Sequence, residues 1–229
     1  MKTKNYLLII FVIILLTSFI IFSLFKDTLT VELILHYYDS IKLFIEKNFI
    51  NSVILFIFLY SFLILLNFPI VSLLSMASGL FFGTILGGFL VSIAATIGSF
   101  LFFLIAKYFF HDFFKKKVLT YLSKFDNYFK KNELGFLLLF RLSGLPFFIQ
   151  NLVISFLGVN QFKFILTTFF GIMPYTFIFT NIGSNIDEII NNGEEIGMHL
   201  LIKPQYILPI MLLGFLTILG MILKNRLKL

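Results

Sequence analysis

From Ile50 to Ala106 the chain carries no Asp, Glu, Lys, Arg or His, and this run constrains the fold more than any other feature. Uncharged apolar sequence of that length calls for lipid rather than water as its surroundings. Backbone N–H and C=O groups in lipid must still be bonded internally, which leaves helices or a closed barrel. Barrel strands alternate apolar and polar residues over short segments. Here the apolar runs are long and continuous, which predicts helices. Composition agrees: 59% of the residues are hydrophobic and 13% charged, with a mean hydropathy of +1.03. That leaves too little polar surface to cover a soluble domain. The fold class is therefore an all-α integral membrane protein.

The net charge of +7 would suggest nucleic acid in a soluble chain. In a membrane protein it points to cytoplasmic loops facing anionic lipid, and no nucleic-acid partner is expected. Cysteine is absent, which excludes disulfides, thiol catalysis and thiolate metal sites.

Tyr6 to Phe25 is free of charge and long enough to span. It is too long for a signal-peptide core and lacks a following cleavage signature, so residues 1–26 are expected to be an uncleaved anchor. Asp27 to Asn48 places Leu29, Leu33, Tyr37, Ile41 and Phe44 at helical spacing among charged residues, the pattern of an interfacial amphipathic helix. The long apolar run follows, interrupted by Pro69 and by Gly79, Gly83, Gly87 and Gly88, with Phe89 to Tyr108 as its final span. His111 to Asn132 holds six lysines and an apolar face, which predicts a second interfacial helix. Leu134 to Val159 is apolar apart from Arg141 and is broken near Gly144 and Pro146. Phe162 to Ile182 is a further span candidate, Asn185 to Gly197 a polar loop, and Gln205 to Leu223 a last span before Lys224, Arg226 and Lys228.

Two blocks thus share one order: amphipathic helix, interrupted apolar hairpin, glycine-containing span. The first repeat covers residues 27–110 and the second 111–183, with residues 184–229 forming an acidic external loop and a C-terminal transmembrane helix. Matching broken segments in two halves point to a transporter-type site. Lysine asymmetry puts both termini and the segment around Lys116 in the cytoplasm, and the loop around Glu194 outside. These placements agree only if each hairpin leaves the membrane on the side it enters. The expectation is four transmembrane helices plus two opposed re-entrant hairpins, an inverted repeat in the cell membrane.

The strings M-A-S-G-L-F-F-G after Pro69, I-A-A-T-I-G-S-F-L-F-F-L-I-A-K, F-R-L-S-G-L-P-F-F-I-Q-N, F-L-G-V and G-I-M-P-Y-T occur in that order between Ser52 and Gly183. In these residues the sequence resembles the DedA superfamily, in its SNARE-associated Golgi protein (VTT-domain) branch. The resemblance implies two opposed re-entrant hairpins and movement of lipids between leaflets, as in phospholipid scrambling or return of a polyprenyl phosphate carrier. Pro69, Gly79, Gly83 and Gly98 match the first motif, and Arg141, Pro146, Asn151 and Gly158 the second. The sequence departs from the pattern in three places. Lys107 stands where arginine is common, Gly144 where proline is common, and no carboxylate lies between Ile50 and Lys107, which removes the group that proton-coupled members carry there.

Arg141 is the one formal charge in the second hairpin. An intramembrane arginine is costly and either pairs or lines a wet cavity, and its planar fork suits a phosphate. Asn151, Gln150 and Asn67 are polar residues in apolar context. They could line a headgroup path or satisfy backbone groups opened by the prolines. Pro69, Gly79, Gly83, Gly98, Gly144, Pro146 and Gly158 are expected to shape hairpins and packing. The three histidines lie in different segments, and no triad, phosphate-binding loop or dinucleotide fingerprint occurs. No metal, cofactor or enzymatic activity is expected. The leading expectation is a translocator of phospholipid or polyprenyl phosphate, with membrane lipids as partners and self-association possible. The rivals are a membrane-assembly scaffold and a proton-coupled small-solute transporter.

Overall fold

The structure, a computed structural model, describes residues 31–68, 70–122, 133–143, 145–157 and 159–191, with a few isolated helical positions nearer either end. The expected anchor (1–26), the C-terminal span and the loop at Glu194 lie outside the described residues, as do Pro69, Gly144 and Gly158. Among the described residues eight helices follow in order: α1 (Val31–His36), α2 (Tyr38–Lys47), α3 (Phe49–Leu65), α4 (Val71–Phe82), α5 (Thr84–Leu122), α6 (Glu133–Arg141), α7 (Phe147–Phe156) and α8 (Gln161–Asn191).

Two of these are long and apolar enough to cross a membrane, over Thr84–Tyr108 and Gln161–Ile189. They form the central pair and run antiparallel. Asn181 Nδ2 donates to Thr84 Oγ1 (3.3 Å), Thr176 and Ser92 share a hydroxyl bond (2.9 Å), and the Phe164 and Phe103 rings lie 4.5 Å apart.

The short helices form hairpins. At about 1.5 Å per residue, α4, α6 and α7 fall well short of a hydrocarbon core of about 30 Å. α3 ends in a turn where Asn67 takes a left-handed conformation (φ 53°), which asparagine tolerates better than most residues. α4 then folds back on α3: Tyr60 Oη meets Ser75 Oγ at 2.9 Å, and the Phe82 ring reaches those of Phe56 (5.6 Å) and Phe49 (6.4 Å). Phe49 opens the hairpin and Phe82 closes it, so the chain enters and leaves at one level. The second hairpin behaves alike. Glu133 at its entrance is ion-paired with Lys163, just beyond its exit.

The hairpin mouths lie at opposite ends of α8. The first packs near its C-terminal end, where Gly79 meets Thr180 and Tyr38 of α2 donates to Asp187. The second is tied to Lys163 near its start. Residues 163 and 187 are separated by roughly 36 Å of helix at about 1.5 Å per residue, which brackets a bilayer core. In each hairpin the first arm packs on its own block's span and the second on the other block's: α3 on α5 and α4 on α8, then α6 on α8 and α7 on α5. The two blocks are interlocked by this exchange.

Polarity is inverted relative to a water-soluble fold. Ser78, Ser92, Ser99, Asn151, Thr168 and Thr180 are fully buried, while Ile50, Ile54 and Phe58 on α3 and Ile85, Phe89, Ile93 and Ile97 on α5 form exposed stripes at helical spacing. This is the arrangement expected where the surroundings are hydrocarbon. α2 meets α3 in a 118° bend at Asn48. Lys42 Nζ donates to Tyr38 Oη (2.5 Å) and Asp187 (3.0 Å), pinning α2 to α8. Burial, then the bond to Asp187, raises the Tyr38 hydroxyl above its ordinary 10.0, and the bond to Tyr38 raises the Lys42 ammonium above 10.5. Both shifts favour the protonated, folded form, so the pin is complete at neutral pH and weakens as pH rises through those values.

Four boundaries differ from the sequence expectation. The first hairpin ends at Gly83, not Gly88: Gly83 has φ 76° and ψ 172°, a conformation that is almost glycine-only, and Gly87 and Gly88 lie inside α5. α5 runs on past Tyr108 to Leu122 in place of a separate helix starting at His111, because no glycine or proline interrupts Ser99 to Leu122. Asn185 to Asn191, expected in a polar loop, continue α8, held by Asp187 and by the Asn185–Asn181 bond. The amphipathic stretch before Asn48 is two helices with a turn at Tyr37.

Candidate functional site

The two hairpin tips meet beside the middle of α8 and line an open-sided cavity of about 350 Å³. Tyr60, Ser72 and Ser75 come from the first hairpin, Arg141, Leu145, Phe147 and Gln150 from the second, and Ile172, Tyr175 and Thr176 from α8. The volume is near the lower end of small-molecule sites, about 300–1,000 Å³.

Arg141 is the last residue of α6 and is 2% exposed. Its Nη1 donates to Asn151 Oδ1 and its Nη2 to Thr168 Oγ1, both at 2.7 Å. Its Cζ lies 5.2 Å from the ring centroids of both Phe147 and Phe164, so aromatic faces flank the cation. Among the described residues no carboxylate pairs with it, and its Nε–H has no partner. Neutral groups therefore orient the guanidinium without cancelling its charge. An anion is the natural complement, since a phosphate can accept from a free guanidinium edge.

Of the polar residues that sequence singled out, Gln150 lines the cavity with Arg141. Asn151 sits behind them, fully buried, accepting from Arg141 and donating to Ser99 Oγ of α5 (3.2 Å). Its place is that of a positioning residue. Asn67 is not among the cavity residues and belongs to the first hairpin's turn. Pro146 precedes α7, where its carbonyl accepts from the Ile149 and Gln150 N–H groups. A Cβ on Gly98 would fall 2.3 Å from the Ser61 carbonyl oxygen, so that glycine lets α3 lie against α5.

Sequence reasoning missed Thr168, Tyr60, Ser75, Tyr175 and Thr176 as site residues, and Gly171 as their support. A Cβ at Gly171 would fall 2.7 Å from Arg141 Cβ and 2.9 Å from its Cγ. Thus α8 carries a glycine where the arginine stem crosses it. Hydroxyl residues in apolar helices were the available signal, but which of them face one point depends on tertiary packing. Gly171→Ala is expected to displace the Arg141 stem, costing about 1–3 kcal/mol of stability. Thermal melting of the wild-type and variant proteins checks this.

Fold and site together define a helical membrane protein with paired opposed hairpins around a cavity that the buried Arg141 helps to line. The VTT domain profile matches residues 68–185, more than half of the chain. The chain belongs to the VTT-domain family, the DedA/TMEM41 group. It is 29% identical over 194 residues to the Transmembrane protein 41 homolog of Dictyostelium discoideum, covering 83% of this chain and 56% of that protein. It is 30% identical over 123 residues to the Uncharacterized protein YqeD of Bacillus subtilis (strain 168), covering 52% of this chain and 59% of that one. These matches span less than two thirds of either relative's length. No solved structure matches the chain.

Proposed function

We propose that this protein moves phosphate-bearing lipids between the leaflets of the membrane, in the manner of a scramblase or flippase, and is not an enzyme. The observation that carries this is an oriented but uncompensated Arg141 in a cavity built from two opposed hairpin tips. The cation attracts the phosphate of phospholipid or polyprenyl phosphate, and the cavity between the hairpin tips gives the headgroup a route while the tails stay in hydrocarbon. Family membership supports a membrane role of this kind. The proton-coupled reading draws no support from the cavity, whose lining has no carboxylate. The test is transbilayer movement of acyl-labelled phospholipid in liposomes containing the purified protein. Movement no faster than in protein-free liposomes overturns the proposal.

We also infer that both termini and the lysine segment face the cytoplasm of the cell membrane, on the lysine asymmetry alone. Since the chain has no cysteine, Lys116→Cys gives a unique reporter. It is expected to stay unlabelled by an impermeant thiol reagent in intact cells and to label after permeabilisation.

A further inference from the structure

Gln150 lies beside Arg141 in the cavity wall and is 4% exposed. Its Nε2 donates to the carbonyls of Leu145 (2.9 Å) and Arg141 (3.3 Å). Two carbonyl acceptors on the nitrogen decide which way the amide points, because the flipped amide would set oxygen against oxygen. The Oε1 is therefore an acceptor, and it is buried with no partner. Arg141 Nε, a donor, is also buried without one. A buried polar atom left unpaired costs about 1–3 kcal/mol, and here two of opposite sense occur in neighbouring side chains of one cavity.

We propose that Gln150 is a specificity-determining residue, and that the site takes a phosphate ester carrying an N–H or O–H donor next to the phosphate. This rests on the translocation reading above and narrows its substrate. Arg141 Nε and Gln150 Oε1 are both closed to water in this structure, so the two side chains turn to admit the headgroup: the phosphate oxygens then accept from the Arg141 edge, and the neighbouring ammonium or hydroxyl donates to Gln150 Oε1. Lipids with ethanolamine, glycerol or serine headgroups satisfy both, as does a protonated phosphate monoester through its own P–OH. Choline keeps the positive charge but has no N–H or O–H, so it leaves the Gln150 oxygen unpaired. Sites built to bond a polar group discriminate strongly against analogues that lack it.

The test is a methylation series of acyl-labelled lipids: phosphatidylethanolamine, its N-methyl and N,N-dimethyl derivatives, and phosphatidylcholine. Headgroup charge is constant throughout, and the donor is lost only at the last step. Binding to the detergent-solubilised full chain and movement in liposomes are both measured. Wild-type protein is expected to show a fall of about tenfold confined to the last step, in both readouts. In Gln150→Met that step should disappear, with melting temperature recorded to separate a fold defect. A wild-type series without the final step overturns the role of Gln150 while leaving translocation intact, and needs no variant. A binding step without any movement upholds the site and overturns translocation. Displacement of bound lipid by soluble phosphoethanolamine more readily than by phosphatidylethanolamine overturns lipid as the source of the headgroup.

Discussion

Arg141→Gln is expected to reduce lipid movement to the protein-free rate while the protein still inserts and melts close to wild type. The reason lies in the balance of terms at the site. The arginine is buried and, among the described residues, is unmatched by a carboxylate and has an unpaired Nε–H. Holding such a charge away from water costs several kcal/mol, and removing it recovers part of that cost. Against this, Asn151 Oδ1 and Thr168 Oγ1 each lose a donor, at about 1–3 kcal/mol apiece. The glutamine amide can return one of those bonds, so the opposing changes nearly cancel. Arg141→Lys keeps the charge but loses the planar fork that reaches Asn151 and Thr168 together, so it should retain only part of the activity. A purely structural arginine predicts a different pattern, with melting temperature and transport falling together in Gln and recovering together in Lys. Measuring both on one preparation decides between them. A folded Gln variant with wild-type transport ends the assignment of Arg141 as the phosphate-binding group.

Gly79→Ala is expected to rank, with Gly183→Ala, among the most destabilising glycine-to-alanine changes at the described residues. The added Cβ would stand 1.8 Å from the Thr180 carbonyl oxygen and 2.6 Å from Thr180 Cα. On the same crossing, a Cβ at Gly183 would stand 1.8 Å from the Met76 carbonyl oxygen. α4 and α8 therefore touch backbone to backbone through a reciprocal pair of glycines, a packing mode suited to lipid, where association relies on close van der Waals contact. Backbone carbonyls cannot rotate aside as a side chain can, so the helices must separate. Separation also strains the bond from Thr180 Oγ1 to the Thr84 carbonyl (3.1 Å) on α5. A loss of about 3 kcal/mol or more is expected, at or beyond the upper end for overpacking. Gly88→Ala is the control. The nearest atoms to its new Cβ belong to the Phe177 ring, at 3.1 Å, which can shift. Thermal melting in detergent should rank Gly79→Ala far below Gly88→Ala. Equal melting temperatures would show that the crossing is not rigid.

The sequence by itself determined the solvent and the punctuation of the chain. Uncharged length from Ile50 to Ala106 demanded lipid and helices, and Arg141 stood out because one charge in an apolar stretch is expensive wherever the chain goes. The second break could be placed because proline shapes its own neighbourhood, and Pro146 does stand at the turn before α7. Gly83 shows where local reading stops. Four glycines between residues 79 and 88 looked alike in sequence, yet one supplies a positive φ, another admits the Thr180 backbone, and two sit within α5. Only Gly79 and Gly88 meet a helix far away in the chain, at Thr180 and Phe177 of α8; Gly87 meets Ser78 on the adjoining α4. Local reading stops at the site too, where Gln150 and Asn151 are adjacent in sequence and equally polar. α7 carries one into the cavity wall and the other toward Ser99 on α5, because successive residues on a helix point about 100° apart. Which of them meets the headgroup, and that Gly171 makes room for Arg141, became decidable only when α5, α7 and α8 were packed against α6.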